Sequence, residues 1–310
     1  MKKVLITGGL GFMGSHMAEL CVRQGHEVTL LDCSEKNIGN IASFRNKVKL
    51  LAMDIKDIGE EVKGFDIIFH MLGTSDNYAL VEGEPYRDLE LNCTATIALL
   101  EAMKKHNPKA RLLYASTFLV NGDVEKMPVS TDSPCNPNGM CGATRLAGEH
   151  FCRIYGRVFG LDTVVARLTN VFGERRAGNT KKAGLNYLIW QAVNGQVLSV
   201  YDNGEFYRDY IHAGDAASAC LAIALKGKGG QTYYVGRGER TKFGNLVGMI
   251  VKQTGAKTKS IAPPDFHKRV GMRDFVCDNS ELKKLGWSPK VELEEGIRRT
   301  VAYYRKTKKK

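Results

Sequence analysis

The chain has 310 residues, 43% of them hydrophobic, with 45 lysines and arginines against 33 aspartates and glutamates, a net charge of +12. That content can bury the core of one two-lobed unit or of two domains. No apolar run reaches the roughly 18 residues of a membrane span, and the start, Met1-Lys-Lys-Val-Leu-Ile-Thr-Gly, meets glycine too soon for a secretory apolar region. A cytoplasmic protein with no membrane partner is expected.

The first half alternates short β-type runs with helical patterns, which predicts right-handed βαβ units and a parallel sheet. Predicted strands are Lys3–Thr7, Glu27–Leu31, Val48–Ala52, Ile67–His70, Arg111–Ala115 and Thr163–Leu168, with helices at Gly14–Arg23, Pro85–Lys105 and Ala143–Phe159. Beyond Arg167 the pattern loosens into glycine-rich connections and isolated helices at Lys182–Asn194, Lys242–Thr254 and Leu293–Lys306, while Tyr210–Ala224 reads as a return to the first lobe. The expected fold is α/β, a Rossmann-type doubly wound parallel sheet with a smaller mixed α/β substrate lobe. The expected division is 1–167 plus 210–236 for the cofactor domain and 168–209 plus 237–310 for the substrate lobe.

The opening strand runs into Gly8-x-x-Gly11-Phe12-Met13-Gly14 and then a helix. Such glycines allow a tight turn and a close approach of backbone N–H groups to a pyrophosphate, which rests on the helix N-terminus. Asp32 ends the next strand, where a carboxylate accepts bonds from the adenosine ribose, and no arginine follows at 33 or 34 to hold a 2′-phosphate. These features select NAD over NADP. An ordinary glycine turn with a helix-capping aspartate is the bland alternative.

The eight cysteines are scattered, with no Cys-x-x-Cys and no histidine pairing at zinc spacing. No metal site is expected, and Cys21, Cys152 and Cys220 read as small buried hydrophobes. The positive charge is diffuse apart from the terminal Arg305-Lys-Thr-Lys-Lys-Lys310, and no nucleic-acid-binding motif accompanies it. An anionic small substrate suits the charge at least as well as nucleic acid does.

The segment Cys141-Gly-Ala-Thr-Arg145-Leu-Ala-Gly-Glu149 closely resembles the Tyr-Gly-Ala-Thr-Lys-Leu-Ala-Gly-Glu run of extended short-chain dehydrogenase/reductases, the branch that holds NAD-dependent nucleotide-sugar epimerases and dehydratases of the UDP-glucose 4-epimerase kind. Further segments resemble the family in the same order along essentially the whole chain. Asp54-Ile55 resembles the adenine-contacting pair, and His70-Met-Leu72-Gly73 the turn under the dinucleotide, with His70 read as structural. Asn92 matches the asparagine flanking the nicotinamide. Asn170, in Arg167-Leu-Thr-Asn170-Val-Phe-Gly173, matches an asparagine on the substrate diphosphate. Val200-Tyr201 resembles the run against the nucleotide base, Arg208-Asp-Tyr-Ile-His matches the phosphate arginine segment, and Arg269, with Arg273 its rival, resembles the second phosphate arginine. The resemblance implies NAD, a nucleotide-diphosphate sugar with uridine as the expected nucleotide, and a homodimer formed through Pro85–Lys105 and Ala143–Phe159.

The resemblance also implies a catalytic Ser/Thr, Tyr and Lys, in which the lysine and the nicotinamide lower the tyrosine's pKa. Thr117 keeps the first role, while Cys141 and Arg145 stand in the other two positions. A thiol beside an arginine and a nicotinamide cation could ionise near neutral pH, but cysteine is shorter than tyrosine by a whole ring. Arginine can hold a ribose and supply charge, yet it does not exchange a proton. Phe118 and Leu119 occupy the positions where 4,6-dehydratases carry Asp and Glu, which disfavours that standard reaction. Three readings follow: an epimerase-like enzyme, or a dehydratase with non-standard residues, using a rearranged acid/base set that recruits Cys141, Thr117, Asp76 or Tyr78; a catalytically silent binder of NAD and nucleotide sugar; or a nucleic-acid binder with a vestigial pocket.

Overall fold

The structure, a computed structural model, describes residues 1–74, 84–179, 184–270 and 274–308. In chain order the elements are β1 (Lys3–Thr7), α1 (Phe12–Arg23), β2 (Glu27–Asp32), β3 (Val48–Ala52), β4 (Ile67–His70), α2 (Pro85–Leu89), α3 (Ala95–His106), β5 (Arg111–Thr117), α4 (Met140–Phe159) and β6 (Asp162–Leu168). There follow β7 (Asn170–Phe172), α5 (Leu185–Val193), β8 (Leu198–Tyr201), β9 (Tyr207–Arg208), β10 (Tyr210–His212), α6 (Ala213–Lys226), β11 (Thr232–Val235), β12 (Thr241–Lys242), α7 (Phe243–Thr254), β13 (Thr258–Ile261), α8 (Asp265–Val270), α9 (Ser280–Lys284) and α10 (Leu293–Lys308).

Seven strands form one parallel sheet in the order β11-β6-β5-β4-β1-β2-β3. Because side chains alternate across a strand, β1 feeds two cores. Val4 and Ile6 pack under α1 and α6 with Met17, Cys21 and Cys220, while Leu5 packs on the opposite face with Leu99, Met103 and Cys152 of α3 and α4. Burial on both faces explains why these strands read as continuous apolar runs. The chain reverses direction across the sheet between β1 and β4, and a crevice outside the carboxyl ends of these strands is the expected ligand position. Three two-stranded pairs, β7 with β10, β9 with β12 and β8 with β13, lie outside the main sheet. Near them α5, α7 and α10 enclose a third core around Ile189, Leu246, Ile250, Ile297 and Val301.

The doubly wound parallel sheet agrees with the expectation. The strand predicted over Arg111–Ala115 runs on to Thr117, and α4 begins at Met140 rather than Ala143, which draws Cys141 into its first turn. The helix predicted over Pro85–Lys105 is interrupted by a π turn at Glu90–Thr94. The helix predicted over Lys182–Asn194 is described as Leu185–Val193; residues 182 and 183 lie outside the described residues. Of Tyr210–Ala224, α6 packs on the main sheet while β10 pairs with β7 outside it, and β11 then adds an edge strand that was not predicted. Among the described residues no helix is long and apolar enough to cross a membrane.

Candidate functional site

One cavity of about 980 Å³ opens along the carboxyl ends of the strands and continues between the sheet and the smaller β pairs. Gly8, Gly11, Phe12, Met13, Gly14, Asp32 and Leu72 line its first end; Thr117 and Arg145 its middle; Asn170, Tyr201 and Arg208 its far end.

At the first end the turn closes on itself. Gly8 has φ +66°, Gly11 N–H donates to Gly8 O at 3.0 Å, and a Cβ on Gly14 would stand 2.1 Å from Gly8 O. Only glycine fits there. Gly11 caps α1 without a side-chain bond, and the first turn of α1 carries no acidic residue, so its amides and the positive end of the helix dipole are available to an anion. Asp32 accepts from Leu10 N–H at 3.1 Å and from Ser34 N–H at 3.4 Å. Partial desolvation raises its pKa above the usual aspartate value, against the pull of those bonds. An uncapped helix start beside a carboxylate at a strand end suits the pyrophosphate and ribose of a dinucleotide. Asp54 lies outside the cavity lining, where it accepts from Lys56 N–H at 2.9 Å, and Ile55 is a core residue.

In the middle, side chains tie down the turn after β4. Asn92, buried within the π turn, accepts from Thr74 N–H at 3.0 Å and donates to the hydroxyls of Thr74 and Thr144 at 2.8 and 2.9 Å. His70 is enclosed between the hydroxyls of Thr7 (2.7 Å) and Thr96 (3.1 Å). Burial, helped by the nearby Arg145 charge, lowers its pKa to about 3, so it is a neutral structural histidine.

Arg145 and Cys141 converge on one atom. The arginine's Nε and Nη2 donate to Thr74 O at 3.1 and 3.0 Å, and its Nη1 donates to Ala115 O at 2.6 Å. The Cys141 thiol donates to the same Thr74 O at 3.6 Å, and Cys141 has 0% exposure. Arg145 borders the cavity and Cys141 does not. Gly73, with φ +135°, makes room for this fork, since a Cβ there would lie 2.3 Å from Arg145 Nη2 and from Asn92 Oδ1. Thr117 ends β5 with its hydroxyl accepting from Leu119 N–H at 3.3 Å, which leaves the hydroxyl proton free to meet a ligand oxygen. Asp76 and Tyr78 lie outside the described residues.

At the far end the Arg208 guanidinium stacks over Phe206 at 5.1 Å and donates to Tyr207 O at 3.2 Å. Desolvation lowers its pKa below the ordinary arginine value, and it makes no ion pair among the described residues. Asn170 donates its side-chain amide to Asp209 O at 3.0 Å. Val200 is buried beside Tyr201 rather than in the lining. Arg269 is exposed on α8 and also lies outside the lining, while Arg273 is outside the described residues. Arg167, which opens the Asn170 segment, points inward and grips the buried Glu149 through Nε and Nη2 at 2.9 and 2.8 Å. The sequence reading missed Arg87, Arg176, Tyr187 and Gln191, all of which border the cavity; the double arginine directly behind Gly173-Glu174 was the available signal for Arg176.

Comparison with known proteins agrees with this geometry. Residues 4–236 match the NAD dependent epimerase/dehydratase family. The chain is 28% identical to a putative UDP-glucose 4-epimerase of Methanocaldococcus jannaschii over 96% of this chain and 97% of that one. It is 30% identical to UDP-glucuronic acid decarboxylase 1 of Xenopus tropicalis, covering 98% of this chain and 72% of the relative. The structure superposes on the UDP-glucose 4-epimerase of Thermotoga maritima, solved with UDP-glucose, with a TM-score of 0.88 at 26% identity over 98% and 99% of the two chains. The extent of the family match, together with the glycine turn and Asp32, establishes that the chain belongs to the NAD-dependent epimerase/dehydratase family of enzymes.

Proposed function

We propose that the protein is an NAD-dependent, epimerase-like enzyme acting on a nucleotide-diphosphate sugar, with a UDP-sugar as its substrate class. The observation that carries this reading is Arg208, a half-buried guanidinium facing the cavity with no ion pair among the described residues and only the more distant Asp274 charge acting on it. Burying a cation without a counter-charge is costly, and a guanidinium fork suits a diphosphate oxygen. The relatives named above act on UDP-sugars by their own names, which supports the same class here. The reading assigns residues 1–167 and 210–236 to NAD, and residues 168–209 and 237–310 to the sugar nucleotide.

Bound NAD supplies a reversible hydride acceptor for the sugar. In this reading Gly8, Gly11, Phe12, Met13 and Gly14 cradle the pyrophosphate through backbone groups, and Asp32 takes the adenosine ribose. Thr117 meets a sugar hydroxyl, while Arg145 places fixed positive charge at the middle of the cavity and braces its wall. Asn170 and Arg208 hold the diphosphate and Tyr201 the base, with Arg269 or Arg273 as the candidate second phosphate arginine. The Cys141 thiol enters the chemistry only if its sulfur leaves Thr74 O for the cavity. A second reading, a silent binder of NAD and sugar nucleotide, draws on that same observation: thiol and arginine are both engaged with backbone carbonyls. We further propose a cytoplasmic homodimer joined through the face that exposes Leu89, Ile97, Ile154 and Val158.

Incubation with NAD+ and a panel of nucleotide sugars in D2O, followed by NMR, separates the two. A new sugar or incorporated deuterium supports the enzyme, and loss of that signal in Cys141→Ala assigns the thiol a part in it. Binding of UDP and NAD without turnover, with the Cys141→Tyr/Arg145→Lys variant equally inert, supports the silent binder.

A further inference from the structure

We propose that α5 reads the base of the substrate nucleotide, with the side-chain amide of Gln191 paired to the imide edge of a uracil and Tyr187 forming an aromatic wall beside Tyr201. The proposal rests on the reading that a sugar nucleotide lies with its diphosphate at Arg208, and adds to it the residue that recognises the base.

Two elements each present a stripe of side chains to the far end of the cavity. Leu185, Leu188, Ile189 and Ala192 of α5 pack with Leu198 and Val200 of β8 in a single core. Alternation along β8 then turns Ser199 and Tyr201 towards the cavity. On α5, Tyr187 and Gln191 stand about one turn apart and so share a face, and both border the cavity. β13 completes this wall, since Ile261 is the strand partner of Tyr201 and also lines the cavity. The Tyr187 ring lies nearly parallel to that of Trp190, 6.5 Å away with 13° between the planes, which limits its swing. Burial raises the Tyr201 pKa and the neighbouring Tyr187 adds to the rise, so the two phenols stand near one another.

Gln191 is half-buried in this wall, and its side-chain amide makes no hydrogen bond among the described residues. A polar group without a partner in a partly apolar wall costs free energy that a ligand with the matching groups recovers. A glutamine amide sets an acceptor beside two donors, the complement of the N3–H and C4=O of a uracil. A phosphate calls instead for a cation, and none of the described α5 and β8 residues that line the cavity is one; the diphosphate has Arg208. Nor does a carboxylate stand there to repel the base's carbonyl, since the only acid among the described lining residues is Asp32 at the first end. The base is thereby flanked by rings and read by hydrogen bonds. That combination rejects a ligand lacking the matching group far more strongly than an apolar pocket does.

Calorimetric titration of the wild type and Gln191→Leu with UDP, N3-methyl-UDP and inorganic pyrophosphate tests the pairing. The wild type should bind N3-methyl-UDP about tenfold more weakly than UDP, because the methyl removes the imide donor. Gln191→Leu should weaken UDP about tenfold, bind the two nucleotides equally and leave pyrophosphate unchanged. A wild type that binds both nucleotides equally overturns the proposal, and so does a variant that still prefers UDP by the wild-type margin. Either result leaves the diphosphate site standing where Arg208→Ala weakens UDP. A wild type that binds no UDP overturns the proposal together with the sugar-nucleotide reading. If the Leu variant does not fold, Gln191→Glu decides: a carboxylate facing the C4 carbonyl should weaken UDP several-fold, and an undiminished affinity overturns the proposal. Tyr187→Ala should weaken both nucleotides alike with pyrophosphate unchanged, and undiminished UDP affinity there overturns the aromatic wall.

Discussion

The starts of α1 and α4 make an instructive pair. Both helices begin at a glycine cap without a side-chain bond, Gly11 and Gly139, and both border the same cavity. At α1 the glycines keep the backbone bare, and in the proposed reading that backbone is the binding surface. At α4 the side chains Cys141 and Arg145 turn back on the protein and hold Thr74 O. A site made of backbone is fixed by where glycines must fall, so its chemistry can be read from spacing. A site made of side chains depends on where each one points, which spacing does not reveal.

The contrast can be broken most forcefully beneath α4. Glu149 is fully buried, pairs with Arg167, Arg153 and the Ser116 hydroxyl, and anchors the helix to the sheet. Glu149→Ala should cost about 3–5 kcal/mol in urea denaturation, because it leaves the buried Arg167 charge unpaired. At α1, Gly14→Ala drives a methyl into Gly8 O; a loss of about 2–3 kcal/mol with abolished NAD binding is expected from such overpacking. Equal NAD affinity in that variant would show that the turn tolerates a side chain and that its bareness is incidental.

Acid should weaken the region around the glycine turn first. The folded pKa values of His16 and His70 are lowered to about 4 and about 3 by burial. The unfolded chain therefore binds more protons, and stability falls as pH drops from about 6.5 towards those values. Thermal melts across that window should show the decline, and His70→Asn should flatten it. The smallest effects separate the two ends of the cavity. Asp32→Ala should weaken NAD about tenfold and leave UDP alone, while Arg208→Ala should weaken UDP about tenfold and leave NAD alone, each near 1.4 kcal/mol by titration. Crossed effects would mean that the two ligands do not divide the cavity as proposed.

The sheet was legible because buried parallel strands are apolar on both faces, and the glycine turn because φ and close approach dictate residue type. The edge strand β11 was not, since Thr232-Tyr-Tyr-Val235 acquires its role only beside β6. The π turn at Glu90–Thr94 also escaped, as one widened turn leaves no periodic trace over so short a run. Arg167 illustrates the same limit: its partner Glu149 lies 18 residues away on α4, so the arginine's inward direction is a tertiary fact. For Cys141 the length argument was available, but the shared acceptor was not.

That shared acceptor carries a consequence for how this site can change by mutation. Thr74 O is held by two donors from adjacent turns of one helix, so replacing either leaves the other in place, whereas replacing both strips a semi-buried carbonyl of its side-chain partners. The two positions are therefore epistatic. Either can change alone with little penalty, whereas changing both at once removes the redundancy.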